Sequence, residues 1–238
     1  MPDSAAVLSM RQMQTSRAQC ALADRYRSNV EAFESFVAVA LESEGLVVSG
    51  PVKFPVVIQV NSASGPKEQT HGFEVDLVGA RADCLVLASV KSFFGSRGVV
   101  AQHVTGDTSN VSARKLYRLL NDVAIRDVVI AGAAERYGYL PAQVQVRFYV
   151  GKFAGPQGSD KYKIEQWCSQ QHAGGGPISV HDVHDVVAKV LQAAAAKQYR
   201  DNPVLVAMKV LQAAGRITSQ LPDDIGAGMV PDVLAEEL

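Results

Sequence analysis

Residues 72–97, GFEVDLVGARADCLVLASVKSFFGSR, decide the fold. Phe73, Val75 and Leu77 alternate with Glu74 and Asp76. Successive side chains of a strand point to opposite faces, so this period of two predicts a half-buried strand. Gly79-Ala80-Arg81-Ala82-Asp83 reads as a short turn. Cys84 to Val90 is almost wholly apolar, the pattern of a central strand covered on both faces. Ser89 and Lys91 close that run two residues apart, and so on one face; by the same spacing Glu74 and Asp76 share a face. The stretch therefore predicts two neighbouring strands, one carrying Asp76 and the other Lys91, with the two side chains converging. Burying an unpaired charge costs several kcal/mol or neutralises the group. A metal or phosphate site gives a reason for a lysine and a carboxylate at this place.

On the N-terminal side, residues 24–44 have helical periodicity. Val30, Phe33, Val37, Ala40 and Leu41 form one apolar stripe, and Gly45 follows as a stop. Residues 54–60 read as a strand and 61–72 (NSASGPKEQTHG) as a polar hairpin loop. On the C-terminal side, a glycine-rich loop follows Lys91. A helical pattern then spans 112–137, with a break expected near Arg126. Residues 143–153 alternate as a strand. The glycine-rich stretch 155–177 reads as a loop. Residues 180–199 and 204–214 read as helices, the second started by Asp201-Asn202-Pro203. The order helix, three strands, helices, strand, helical end predicts a mixed α/β protein. The expected organisation is an arm over 1–23, a core over 24–154, a loop or linker over 155–178 and a helical extension over 179–238.

Composition sets the outer limits. The chain has 238 residues, 47% of them hydrophobic, enough for a sizeable core. Cys20, Cys84 and Cys168 are scattered without a CxxC pair, which fits a reducing cytoplasm better than a disulfide framework. No apolar run approaches the roughly 18 residues of a membrane helix, and the N-terminus lacks the pattern of a signal peptide. A cytoplasmic protein without a membrane partner is the expectation. Net charge is −1, yet residues 85–163 hold eleven Lys/Arg against five Asp/Glu, a net of +6. The last sixteen residues hold five acids and no base. Segregation of this kind permits a basic face for an anionic polymer. His181 and His184, three apart, have a spacing that can hold a metal on a helix, but acids in that turn equally mark a helix start.

Metal-dependent phosphodiester cleavage needs carboxylates to hold Mg²⁺ and a cation to orient the attacking water. Asp76 and Lys91 supply one of each, and Glu31 or Glu34 on the first helix could complete the set. With these residues the chain resembles the PD-(D/E)XK nuclease superfamily over about residues 24–150. The matching positions are Glu34, the segment GFEVDL at 72–77, and Ser89-Val90-Lys91. The helix-to-glycine spacing and GFEVDL look most like the Holliday-junction-resolvase-like branch.

The resemblance implies a restriction-endonuclease-like core of helix, three strands, helix, strand. It also implies Asp76 as metal ligand, Lys91 as the water-orienting cation, the Val90 carbonyl as a further ligand and Glu34 as an auxiliary carboxylate. The chain departs from the pattern at Ser89, where the family usually has Glu or Asp. Glu74, Glu34 and Asp107 are the candidates to replace that carboxylate. The expectation is thus a Mg²⁺- or Mn²⁺-dependent DNA endonuclease of restriction, defence or repair type. Arg97, Arg114, Lys115 and Arg118 are expected on DNA phosphates, and the C-terminal helices in dimerisation or DNA contact. The alternative, favoured by Ser89, is a catalytically degenerate nuclease-fold protein serving as a DNA-binding or structural subunit.

Overall fold

The structure is a computed structural model that describes residues 32–62, 65–196 and 201–217. Expectations about the N-terminal arm, Glu31, Cys20 and the acidic C-terminal residues lie outside these. The chain is mixed α/β. Helix α1 covers 32–43 of the described residues. It is followed by strands β1 (Val47–Ser49), β2 (Val52–Ser62), β3 (Gly65–Val75), β4 (Leu77–Arg81) and β5 (Cys84–Lys91). Then come helices α2 (Ala101–Thr105), α3 (Val111–Lys115), α4 (Arg118–Asn121) and α5 (Val123–Tyr137), and strand β6 (Val144–Val150). The rest is helix α6 (Asp160–Ser169), the short strands β7 (His172–Ala173) and β8 (Gly176–Pro177), strand β9 (Ser179–Asp182), and helices α7 (Val183–Ala195) and α8 (Pro203–Ala213).

The central sheet has the order β1-β4-β5-β6-β9. Its β1/β4 and β4/β5 pairs are antiparallel, whereas β5/β6 and β6/β9 are parallel. The apolar run at 84–90 is explained by a core on each face. Leu85 and Leu87 face one core with Val146, Phe148 and residues of α2, α4, α5 and α6. Val86, Ala88 and Val90 face the other with α1, α7 and α8. The architecture is therefore a three-layer sandwich with the sheet in the middle. Full burial of a leucine such as Leu85 or Leu87 contributes about 1.5–3 kcal/mol, and both are completely inaccessible.

Several expectations are corrected. Residues 61–72 are not a loop. Apart from the tip, they continue a β2–β3 ribbon paired from Val52↔Val75 to Ser62↔Gly65. Its base buries Val52, Phe54, Val56 and Val75, while 67–72 are exposed. The tight turn after β4 is only Ala82-Asp83, and Gly79 to Arg81 belong to the strand. The helical break expected near Arg126 falls instead at Asp122, whose carboxylate accepts a hydrogen bond from the Ile125 N–H and caps α5. Arg126 is buried inside that helix. The stretch 155–177 contains α6, with Ile164 and Cys168 buried one turn apart.

The expected division at residue 178/179 cuts through the fold. Ser179–Asp182 is the last strand of the central sheet, in register with Arg147–Val150, and α7 buries Val186 and Val190 against the same core as α1. A half-buried ionic network crosses this layer. Glu44, just past α1, accepts hydrogen bonds from Arg147 of β6 at 2.7 Å and from Lys189 of α7. Burial raises the Glu44 carboxyl pKa, but the hydrogen bonds from Lys189 and Arg147 outweigh it and hold it below the ordinary glutamate range. Among the described residues no helix is long and apolar enough to cross a membrane.

Candidate active site

Asp76 lies at a bend between β3 and β4. Val75 packs into one core and Leu77 into the other, so the chain changes face between them; in a straight strand residues 75 and 77 would share a face. This bend lifts Asp76 out of the ribbon and turns it toward the end of β5. There Asp76 Oδ2 collects three donors: the Val90 N–H at 2.6 Å, Lys91 Nζ at 3.1 Å and Ser89 Oγ at 3.4 Å. The Asp76 and Lys91 side chains are 19% and 20% exposed, open enough for a ligand yet sheltered from bulk screening.

The local geometry follows from the pairing. Strand β4 stops pairing with β5 at Leu77↔Ala88, so the edge of β5 beyond Ala88 has no strand beside it on that side. The Asp76 carboxylate takes the Val90 N–H that a longer β4 would have bonded. In an extended strand the N–H and C=O of one residue point the same way, so the Val90 carbonyl is directed to the same side as Asp76. Asp76 Oδ1 accepts no hydrogen bond from the described residues. The Asp76 carboxylate thus meets one hydroxyl and one ammonium group, with the Val90 carbonyl directed to the same side. This donor set suits Mg²⁺, which is held by one or two carboxylates with water and substrate phosphate completing its shell.

The expected companions of Asp76 are distributed differently. Glu74 does not share its face, because the bend intervenes; it pairs with Lys53 across the exposed ribbon at 3.5 Å. Asp107 accepts a hydrogen bond from Thr105 Oγ1 at 2.8 Å and is not at Asp76. Glu34 lies half-buried in the described start of α1. Its neighbour Phe33 meets Phe94 edge-on, with centroids 5.3 Å apart, and this brings the same helical turn to the loop that follows Lys91. Among the described residues, no three His, Cys, Asp or Glu side chains gather closely enough to hold a metal without further ligands.

The loop after Lys91 is tightly seated. Gly151 N–H donates to the Lys91 carbonyl at 2.9 Å. A Cβ on Gly151 would lie 2.4 Å from the Ser92 carbonyl oxygen and 2.7 Å from the Phe94 ring. Phe93, with φ of 45°, sits in the left-handed region that non-glycine residues rarely adopt. Gly151→Ala is expected to push Ser92–Phe94 away and to lower stability by about 1–3 kcal/mol. A thermal melt checks this, and an unchanged melting temperature would refute the close packing.

Asp182 and Lys161 meet at this end of the sheet, a placement that the linear pattern does not show. Asp182 ends β9 in register with Val150, which is in register with Lys91, so all three stand at the carboxyl edge of the parallel strands. Such edges are where open α/β sheets bind ligands. Asp182 caps α7 through the His184 and Asp185 N–H groups and accepts from Lys161 Nζ at 2.6 Å. Their positions follow from parallel pairing between distant segments. His181 is in β9, stacked on Tyr149 at 4.9 Å and bonded to Ser179 Oγ at 3.1 Å, so it shares no helical face with His184. Burial lowers the His181 pKa, with Arg147 adding to the effect.

The basic residues separate into two places. Arg114, Lys115 and Arg118 line one cavity of about 380 Å³. Arg97 is exposed in the loop after Lys91 and does not line it.

No family model matches the chain, and no curated protein matches it. Among solved structures it is similar to a crystal structure of a protein of unknown function, AF1548. That likeness has 16% identity, covers 77% of each chain and has a TM-score of 0.30.

Proposed function

We propose that this protein is a Mg²⁺-dependent endodeoxyribonuclease with a restriction-endonuclease-like core, acting on DNA as a restriction or defence nuclease. The observation that carries the reading is the convergence of Lys91, the Val90 N–H and Ser89 on Asp76 at an unpaired strand end. In this reading Asp76, the Val90 carbonyl and Glu34 would hold a Mg²⁺ or Mn²⁺ ion. The ion would offset charge on the scissile phosphate. Lys91 orients the attacking water and adds positive charge near the non-bridging oxygens, where it is most effective in a sheltered site. The bend at Asp76 fixes the carboxylate, and Ser89 contributes a hydroxyl rather than an anion. Arg97, Arg114, Lys115 and Arg118 hold DNA phosphates, and α7 and α8 offer surface for a second copy or for DNA.

Supercoiled plasmid incubated with the full chain tests this directly. Nicking is expected with Mg²⁺ or Mn²⁺ and not with chelator. DNA affinity should fall steeply with salt, and Lys115→Ala should reduce the logarithmic slope by about 0.9. Ser89 favours one other reading, a catalytically degenerate nuclease-fold subunit that binds DNA. Salt-dependent binding without nicking under either metal would select it. Binding insensitive to salt would remove both.

A further inference from the structure

Beside the basic cavity lies a second one of about 400 Å³ with a different lining: Trp167, Gln102, Gln166 and Gln170. Thr105 and Asp107 line both, so the two cavities adjoin across these residues. Their volumes are those of small-molecule sites. The chemistry changes in order along the groove. At one end stand an indole and three primary amides, which present both donors and acceptors. In the middle stand a hydroxyl and a carboxylate. At the other end stand Arg114, Lys115 and Arg118.

Arg118 is partly neutralised by Asp122, at 3.4 Å, while Arg114 and Lys115 form no ion pair among the described residues. Lys163, in the aromatic half, is turned to Asp160 at 3.7 Å. The cations left for a ligand therefore lie at the far end from Trp167.

We infer that this groove binds a phosphorylated nucleoside, either free or as one unpaired unit of a strand. The base lies in the half lined by Trp167 and the glutamines, the sugar at Thr105 and Asp107, and the phosphate among Arg114, Lys115 and Arg118. Each zone suits its part. Aromatic side chains take bases of any sequence by stacking, a carboxylate accepts from sugar hydroxyls, and guanidinium groups take phosphate oxygens in pairs. The inference rests on the nuclease reading only in giving the three cations phosphate as their ligand, and it does not involve Asp76 or Lys91.

Trp167 is the single tryptophan of the chain, so its emission, excited beyond the absorption of the seven tyrosines, reports on this groove. The full chain, in chelator, is titrated with AMP, with a short single-stranded oligonucleotide and with inorganic phosphate. A saturable change in emission is expected with AMP or the oligonucleotide, and none with phosphate alone. Lys115→Glu, an exposed substitution that spares the core, should weaken that binding at least tenfold. Tighter binding of AMP identifies a free nucleotide as the ligand; tighter binding of the oligonucleotide identifies an unpaired unit of a strand. No saturable change with either probe would overturn the inference, and so would affinity unaffected by both Lys115→Glu and Arg114→Glu. Because no cleavage is measured, a protein that binds nucleotide yet never nicks plasmid keeps this inference and loses the nuclease reading. One that nicks plasmid with a silent Trp167 does the reverse.

Discussion

Asp76→Ala is expected to abolish metal-dependent plasmid cleavage, with a loss of at least about 100-fold. The substitution removes the acceptor shared by Lys91 Nζ, the Val90 N–H and Ser89 Oγ. It also removes the carboxylate that would hold the metal and frees the Lys91 side chain from its position. Stability should fall by about 1–3 kcal/mol, because a sheltered N–H and ammonium lose their partner. The two effects are separable. Asp76→Asn keeps the size and an acceptor oxygen and should recover much of the stability, but not the cleavage. Nicking assays beside urea titrations of the three proteins make the comparison, and wild-type cleavage by Asp76→Ala would end the nuclease reading.

Glu44→Ala is expected to lower stability by about 2 kcal/mol, since it leaves the half-buried Arg147 and Lys189 without the anion that accepts hydrogen bonds from both. The effect depends on pH in a defined direction. Burial raises the Glu44 pKa, yet its hydrogen bonds from Lys189 and Arg147 leave the folded-state value depressed. Its contribution is therefore complete above the unfolded carboxylate value of about 4.3 and disappears as pH falls through the folded value. Urea unfolding at pH 7 and across the acid range should show a large gap between wild type and Glu44→Ala that narrows below about pH 4. Equal stability at pH 7 would show that the network contributes nothing.

The sequence was readable where burial leaves a pattern. The apolar run at 84–90 implied a strand covered on both faces, and β5 is that strand. The spacing of Asp76 and Lys91 implied convergence, and their side chains meet at 3.1 Å. Where order comes from pairing rather than from burial, the sequence carries little sign of it. Residues 67–72 are polar and exposed, so nothing in their hydropathy announces a strand; the ladder with 55–60 makes them one. Ser179–Asp182 is too short to show a period and precedes a helix immediately, so it resembles a helix start. Its strand character is supplied by β6, far away in sequence. Glu74 leaves the face of Asp76 because a single bend, invisible in the alternation, reverses the faces between Val75 and Leu77.

The position of β9 bears on how the protein comes into being. During synthesis, the ribbon, β4 and β5 can pair as soon as they emerge, since each lies close to its neighbour along the chain. The two parallel pairs cannot, because 92–143 must be laid across one face before β6 docks, and β9 arrives only after 151–178. Until then β6 presents an open edge whose alternate side chains, Val144, Val146 and Phe148, are apolar. Closing loops of this length precedes any return from the contacts they make, and non-local pairing of this kind slows folding. A chain halted before residue 179 would hold an assembled Asp76–Lys91 pair in an unfinished sheet, with an adhesive strand exposed to any other unpaired edge nearby.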